Sequence, residues 1–285
     1  MKILINYANN KYKKTQNFNT FTGKVIANFD KIYSFGPNDI DKSFYNKNKK
    51  ILDIKRGNGL WLWKPYFIKK VMENSNEGDY IFYCDSGSFF IRSIDNLINS
   101  LDKDEFIWVS DIPLLENNFT KKLCFEKMKC NNDKYKFTNQ IQATFIMIKC
   151  CEESKKFINK WLTLCEDYEL LFPENREDLI TKNEEFISHR EDQSILSLLC
   201  KINDIKPHKD PSQRGRFQEW YYSDQYPYVR NKHLDTYKTI IFLHKQPYIN
   251  ILIIIKHIIR MYLQKLKYRK IISTFNKSEE ERIEA

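Results

Sequence analysis

The sequence is poor in the features that mark several classes of protein. Only seven glycines and eight prolines occur among 285 residues, which argues against low-complexity segments and long disordered linkers. The seven cysteines are odd in number, irregularly spaced and without a Cys-x-x-Cys pair, so neither a disulfide framework nor a zinc site is indicated. No stretch reaches the roughly 18 uncharged apolar residues of a membrane span, and the first apolar run is too short for a signal peptide. We therefore expect a cytoplasmic globular protein with reduced thiols.

The charge is strongly positive, with 47 Lys and Arg against 37 Asp and Glu and a net charge of +10. Such an excess suits phosphates, nucleic acid or an anionic membrane surface. Lysine is also abundant along the whole chain, so part of the excess can reflect composition alone. The basic residues are dispersed and no nucleic-acid-binding module is recognisable, so no specific nucleic acid partner is expected.

The hydrophobic pattern alternates short apolar strands with amphipathic helices, and we see no internal repeat. This order predicts an α/β fold with a mostly parallel central sheet and helices on both faces. Strands are predicted at Lys2–Tyr7, Lys31–Phe35, 80–84, 106–109, 144–148 and 239–243. Helices are predicted at 18–29, 65–73, 93–101, 152–164 and 192–202, with polar or irregular segments at 9–19, 167–188 and 205–218.

The stretch 80–84 is apolar at both alternating sets of positions, which is typical of a strand covered on both faces. It stops at Asp85, Ser86 and Gly87, and ligands of open α/β sheets bind beyond the carboxyl ends of strands. A carboxylate there can hold a cation such as Mg²⁺ or Mn²⁺. The same three residues are equally good turn formers, which leaves a purely structural interpretation open.

The segment 56–65 reads Arg-Gly-Asn-Gly-Leu-Trp-Leu-Trp-Lys-Pro. Its glycines permit close backbone approach before a helix N-terminus, and Arg56 and Lys64 add positive charge, a combination that suits an anion. The two tryptophans can place one ring in the core and the other on a sugar or a base. A glycine turn with two core tryptophans is the alternative, because the segment is neither a Walker sequence nor Gly-x-Gly-x-x-Gly.

Asp192 opens a predicted helix and lies three, four and seven residues before apolar positions of that helix. It therefore extends the buried stripe, where a carboxylate is costly unless a cation, a hydroxyl or a ligand meets it. Capping of the helix N-terminus is the alternative role.

Two further features lie near the end of the chain. His244 and Lys245 directly follow the last predicted strand; the imidazole can complete a metal site begun by Asp85, and the ammonium can neutralise a phosphate. A lone histidine at a strand end can equally be incidental. Residues 249–268 mix isoleucines with basic residues, as in a helix that lies in a membrane interface. Packing on the domain and a dimer contact are the alternatives for this tail, which we separate as 247–285 from a domain at 1–246.

Three of these segments occur together in one known family: 56–65, Tyr-x-Asp-x-Gly at 83–87, and His-Arg-x-Asp-Gln-Ser at 189–194. The chain resembles bacterial glycosyltransferases of the GT-A (nucleotide-diphospho-sugar transferase) fold. More narrowly, it is similar to sugar transferases of capsular polysaccharide and lipopolysaccharide synthesis. Lys-Pro-His at 206–208 and Phe-Leu-His-Lys at 242–245 also fit, so the likeness covers roughly residues 1–246.

The resemblance implies a sugar-nucleotide donor and a glycan or lipid-linked acceptor. The basic apolar pattern of the tail, outside the likeness, indicates a peripheral contact with the inner face of the plasma membrane through residues 249–270. Asp85 matches the first acid of the Asp-x-Asp motif and His244 a further metal ligand, with Mn²⁺ or Mg²⁺ as cofactor, although Gly87 replaces the second acid. The Asp192–Gln193 pair matches retaining families. The implied catalytic residues are Asp192, Gln193 and His189, and the implied donor-binding residues are Tyr7, Arg56, Trp63, Lys64, Asp85, Ser86, Gly87 and Lys245.

Two other functions are compatible with parts of this pattern. A non-enzymatic basic protein that binds an anionic membrane or nucleic acid would explain the charge and the tail. A nucleotidyltransferase that makes the sugar nucleotide is the other, but its glycine- and lysine-rich N-terminal signature is absent.

Overall fold

The computed structural model describes residues 1–173, 185–215, 226–229, 231, 233–252, 254–256, 258–259 and 263. The strands in this part of the chain are β1 (Lys2–Tyr7), β2 (Lys31–Phe35), β3 (Tyr80–Cys84), β4 (Ser88–Phe90), β5 (Ile107–Trp108), β6 (Asp111–Leu115), β7 (Asn139–Ile141), β8 (Phe145–Lys149) and β9 (Ile241–Leu243). The helices are α1 (Lys13–Val25), α2 (Lys42–Lys47), α3 (Lys49–Leu52), α4 (Gly57–Leu60), α5 (Trp63–Met72), α6 (Asp95–Ile98), α7 (Glu116–Phe119), α8 (Lys122–Lys127), α9 (Asp133–Lys136), α10 (Glu152–Glu166), α11 (Tyr168–Leu171) and α12 (Glu191–Ile202). Short 3₁₀ turns cover Asn10–Tyr12 and Pro37–Asp39.

The central sheet has the strand order β2-β1-β3-β8-β5. β1 pairs in parallel with both β2 and β3, whereas β8 runs antiparallel to β3 and to β5. Four of these five strands therefore point the same way, with β8 reversed. The predicted α/β class with a mostly parallel sheet is confirmed.

Both faces of this sheet are covered, as the alternation within β3 predicts. Ile81 and Tyr83 belong to one buried cluster with apolar side chains of α5, α10 and α12. Phe82 and Cys84 belong to a second cluster, on the face where α1 and α6 lie. Removing both faces from water is the main apolar contribution to the stability of the sheet.

The helix after β1 differs from its prediction. The polar stretch 9–19 was expected to be a loop and the helix to start at residue 18, but α1 begins at Lys13. The reason is that α1 buries small and polar side chains. Asn19, for example, donates a hydrogen bond of 3.0 Å to the carbonyl of Ser88, while the large side chains Phe21 and Val25 are exposed. Apolar periodicity therefore indicated the wrong face.

The last strand, β9, does not join the central sheet, although the sequence predicts a single sheet. β9 runs antiparallel to β4 in a separate two-stranded sheet. Because β4 begins directly after Gly87, this pairing brings the end of β9 back to the turn that follows β3. The backbone nitrogens of His244 and Lys245 donate to the carbonyl of Gly87 at 2.9 and 2.8 Å.

Candidate active site

A cavity of about 750 Å³ lies at the carboxyl ends of β1 and β3, a volume that is typical of small-molecule sites. Among the described residues, its walls come from the ends of these strands and the residues that follow them, the segment around the start of α5, the residues just before β8, the start of α12, and Leu243 and Lys245 at the end of β9. Position at the strand ends is as predicted for a ligand site in an α/β sheet.

The structure brings nearly all the predicted site residues together. Within the described chain, His244 is the one member of the predicted set that does not line the cavity. The roles implied for the others stay predictions. The predicted residues that line the cavity are Tyr7, Arg56, Trp63, Lys64, Asp85, Ser86, Gly87, His189, Asp192, Gln193 and Lys245.

The centre of the site is a buried ion pair between Lys64 and Asp192. The ammonium of Lys64 lies 2.8 Å from Asp192 Oδ2 and 3.9 Å from Asp85 Oδ1, and it donates to the carbonyl of Ala143 at 2.9 Å. The side chains of Lys64 and Asp192 are only 4% and 5% exposed. The carboxylate predicted to need a partner therefore has one, a lysine from α5.

Burial and ion pairing act against each other in this cluster. Burial raises the pKa of Asp192 to about 6, while the attraction of Lys64 opposes that rise. Burial also opposes the charge on Lys64, yet Asp192 and Asp85 together hold the pKa of its ammonium above the ordinary value. The cluster thus places two carboxyl groups of unequal environment around one permanent cation.

Asp85 is more accessible, with 36% of its side chain exposed. The hydroxyl of Tyr83 donates to Asp85 Oδ1 at 2.6 Å, which orients the carboxylate towards the cavity. Ser86 serves the turn itself, because its hydroxyl donates to the carbonyl of Tyr7 at 2.6 Å and ties β3 to β1. The residues 85–87 therefore form the predicted turn after β3 and also line the cavity.

Gly87 lies directly under the backbone of Lys245. A Cβ placed on Gly87 would be 3.1 Å from the Cα of Lys245, closer than side-chain carbons usually approach backbone. The Lys245 backbone is itself left-handed, with φ of 59°. The residue that closes the cavity thus takes up the space that a second acid of an Asp-x-Asp motif would need.

We expect Gly87→Asp to lower both stability and activity, and not to create a metal site. Forcing a side chain against the Lys245 backbone should cost about 1–3 kcal/mol, as overpacking usually does. Denaturant unfolding and turnover with and without Mn²⁺ would measure this. Gly78→Asp is a control, because nothing lies within 4 Å of that Cβ position, although its φ of 82° adds strain of its own. Undiminished stability in Gly87→Asp, with activity newly raised by Mn²⁺, would contradict the prediction.

The two tryptophans of the segment 56–65 have different surroundings. Trp63 is 4% exposed, stacks on Tyr7 with ring centroids 3.8 Å apart and donates to the carbonyl of Gly57 at 2.9 Å. Trp61 lines the cavity and is partly exposed. The sequence predicts Trp63 as a donor-binding residue and does not indicate Trp61, because spacing alone does not show that both rings reach the cavity.

Arg56 and Glu191 form a second ion pair in the cavity wall. Glu191 is buried, which raises the pKa of its carboxyl, while Arg56 opposes that rise. Because Glu191 immediately precedes Asp192, this pair ties the segment before α5 to the start of α12. Arg56, predicted as a donor ligand, already has a partner on the protein.

His189 is enclosed by backbone, with 1% of its surface exposed. Its Nδ1 accepts from the amide of Lys121 at 3.4 Å, and its Nε2 lies 3.0 Å from the carbonyl of Leu170. This pattern requires a neutral ring with the proton on Nε2, and burial lowers the pKa of the imidazole to about 3. The geometry favours a positioning role over the catalytic role implied by the resemblance.

The side chain of Gln193 is held by β7 and by the residue Ala143 that follows it. Its side-chain oxygen accepts from the amide of Ala143 at 3.3 Å, and its nitrogen donates to Gln140 Oε1 at 2.7 Å. The amide orientation is therefore fixed by both of its polar atoms.

The donor atoms present do not fit the Mn²⁺ or Mg²⁺ site implied by the resemblance. Such ions take several oxygen ligands at once. Two of the three acids that line the cavity, Glu191 and Asp192, are already paired with basic side chains, and position 87 has no side chain. The ring of His244 packs near Phe89, and its Nδ1 accepts from the amide of Gln246. Among the described residues, no three His, Cys, Asp or Glu side chains are grouped closely enough to hold a metal.

No protein-family model and no curated protein matches the sequence. Among solved structures, the chain is similar to mouse xyloside xylosyltransferase 1 in its apo form, with 9% identity, coverage of 86% of this chain and 97% of that one, and a TM-score of 0.45. It is also similar to the galactosyltransferase LgtC in complex with donor and acceptor sugar analogues, at 13% identity, 87% and 88% coverage and a TM-score of 0.43. A third is the apo glycosyltransferase GlyE of Streptococcus pneumoniae TIGR4, at 14% identity, 85% and 54% coverage and a TM-score of 0.42. At these identities and TM-scores, neither a substrate nor a residue role can be transferred from those proteins to this chain.

Proposed function

We propose that this protein is a GT-A-type glycosyltransferase that moves a sugar from a nucleoside diphosphate to a hydroxyl acceptor. The observation that supports it most is the cavity at the strand ends, which encloses the Lys64–Asp192 pair beside Asp85. Among the described residues, the lining also has an excess of positive charge that suits a diphosphate. Its basic side chains are Lys11, Lys55, Arg56, Lys64, Arg190 and Lys245, against the acidic Asp85, Glu191 and Asp192.

The chemistry follows from where charge develops. When the bond between the anomeric carbon and the diphosphate oxygen breaks, its electron pair stays with the diphosphate and the sugar gains positive character. Basic side chains such as Lys245 would stabilise the negative charge on the diphosphate. The carboxylate of Asp192 or the side-chain oxygen of Gln193 would stabilise the positive character of the sugar. The acceptor oxygen then bonds to the anomeric carbon, and its proton passes to an oxygen of the departing diphosphate.

The stereochemistry is proposed to be retaining, which rests on the likeness of the Asp192–Gln193 pair to retaining families. The proton NMR spectrum of the first-formed product gives the anomeric configuration. An inverted anomer would refute retention and leave the transferase proposal standing.

A thermal-shift panel tests the proposed function. UDP-, GDP- and dTDP-sugars would each be added at millimolar concentration, with and without Mn²⁺. A ligand present at 100 times its Kd should stabilise the protein by about 2.7 kcal/mol. Stabilisation by one nucleotide class supports the proposal. No response to any donor, together with salt-sensitive RNA binding, would favour the non-enzymatic alternative.

The acceptor is proposed to be a glycan or lipid-linked intermediate of surface polysaccharide synthesis, used at the inner face of the plasma membrane. The support comes from the tail 247–285, most of which lies outside the described residues. Its described helical positions include exposed apolar side chains such as Ile251 and Leu252, 70% and 69% exposed. In the described chain, none of the helices has the length and apolar character to cross a bilayer.

Vesicle co-sedimentation tests the tail. The wild type should bind vesicles containing anionic lipid, and the double variant Ile251→Glu/Leu252→Glu should bind at least about tenfold more weakly, because it buries charge in the interface. Equal binding of both proteins would contradict a membrane role for these residues.

A further inference from the structure

The short element α4, which precedes α5, is a left-handed turn and not a regular right-handed helix. The backbone φ angles of the five consecutive residues 57–61 are all positive, with values of 59°, 55°, 94°, 52° and 60°. Glycine adopts this region without penalty and explains two of the five positions. Leu60 and Trp61 adopt it at a cost in free energy, and such a conformation persists only where the surrounding structure fixes it.

Hydrogen bonds and packing hold this turn in place. The amide of Leu60 donates to the carbonyl of Arg56 at 2.9 Å, and the amide of Gly59 donates to that of Ile54 at 2.8 Å. The side chain of Leu60 is fully buried, as is that of Leu62. Between them lies one large ring, Trp61, which is partly buried against the core and also lines the cavity.

The Trp61 ring is itself fixed by its neighbours. A Cβ on Gly57 would come within 2.3 to 2.6 Å of the ring carbons, so the ring rests directly against the glycine. The guanidinium of Arg56 lies 5.9 Å from the ring centroid and is tied to Glu191. A flat apolar surface is therefore held rigid beside hydrogen-bonding groups.

This combination suits a pyranose ring. One face of a pyranose exposes C–H groups that pack on an indole, while its hydroxyls need charged or amide partners at the edge. Arg56 lies 5.9 Å from the ring centroid, and its ion-pair partner Glu191 and the amide of Asn58 line the same cavity. The other aromatic pair of the cavity, Tyr7 and Trp63, is already stacked face to face at 3.8 Å and leaves no gap for a ligand between its rings.

We propose that Trp61 is the stacking platform for a sugar ring of the substrates. This rests on the proposed function and deepens it, since it assigns the sugar-binding part of the cavity. The sugar is that of the donor or that of the acceptor, and the stacking chemistry is the same for both. The strained turn exists to present this ring, and Gly57 is required because any side chain there would displace it.

Three variants at one position test the platform. Trp61→Ala removes the ring, Trp61→Leu keeps apolar bulk without a flat face, and Trp61→Phe keeps a smaller flat face. Calorimetry measures the Kd of the best sugar nucleotide of the thermal-shift panel and of its free nucleoside diphosphate. Binding of, and transfer to, octyl glucoside, octyl galactoside and octyl N-acetylglucosaminide probe the acceptor side. Unfolding curves confirm that each variant is folded.

Trp61→Ala and Trp61→Leu should raise the Kd of either the sugar nucleotide or the octyl glycoside by about tenfold. The Kd of the free nucleoside diphosphate should not change. Trp61→Phe should recover most of the lost affinity. A loss of affinity for the sugar nucleotide shows that Trp61 stacks on the donor sugar, and a loss of affinity for the octyl glycoside shows that it stacks on the acceptor sugar. An equal loss for the free nucleoside diphosphate, or no change for any ligand, overturns the proposal. If the wild type binds no sugar nucleotide, the proposed function itself fails; if it binds one and Trp61→Ala binds it and the glycosides equally well, only the platform fails.

Discussion

The variant Lys64→Met is expected to lose at least about 100-fold in kcat/KM and about 3–5 kcal/mol in the free energy of unfolding. Methionine fills much of the same space but leaves Asp192, 5% exposed, without its cation. An unpaired buried carboxylate is strongly destabilising, and it responds by taking up a proton. Steady-state kinetics and urea unfolding of the purified variant measure the two losses.

Two controls separate the ion pair from the helix that carries it. Lys69→Met lies on the same helix, where Lys69 pairs with exposed Glu73 at 3.6 Å, and should change stability by no more than about 0.5 kcal/mol. The double variant Lys64→Met/Asp192→Asn removes both charges and should regain most of the stability but none of the activity. Wild-type stability in Lys64→Met alone would show that the pair does not form.

Asp85→Ala is expected to lower kcat/KM by roughly 100-fold while changing stability much less than Lys64→Met does. The reason for the difference is exposure: the Asp85 side chain is 36% accessible, so its removal leaves little buried charge unpaired. Donor-dependent turnover and unfolding curves distinguish the two effects. Activity at the wild-type level would remove Asp85 from the site.

Tyr83→Phe is the matched control for Asp85. It deletes the hydroxyl that donates to Asp85 Oδ1 at 2.6 Å and leaves the carboxylate itself in place. We expect a loss of about tenfold, because the carboxylate is then less well oriented. A loss as large as that of Asp85→Ala would mean that the tyrosine hydroxyl acts on the substrate directly.

The parts of the fold that the sequence predicts well are those with strong local patterns. β1, β2 and β3 follow runs of apolar residues, and their bounds agree with the prediction. Strands β4 and β7 were not predicted, because each has three residues and is defined by a distant partner. Helix α1 was misplaced because the side chains that it buries are polar, so hydrophobicity gave no signal.

In the site, too, the features that follow from a local pattern are predictable and those that depend on distant packing are not. That Asp192 would be buried and need a partner follows from its position on a helix. That the partner is Lys64 does not, because it depends on how α5 and α12 pack around α10. The orientation of Trp61 depends on a left-handed turn, of which the two glycines at 57 and 59 were the visible sign.

The pairing of β4 with β9 also determines when the cavity can exist during synthesis. Because synthesis runs from the N-terminus, Gly87 is made well before Lys245. The carbonyl of Gly87 accepts a hydrogen bond of 2.8 Å from the amide of Lys245. This contact, which closes that side of the cavity, can form only after Lys245 has been made. A cavity that is closed on this side therefore requires translation at least as far as Lys245.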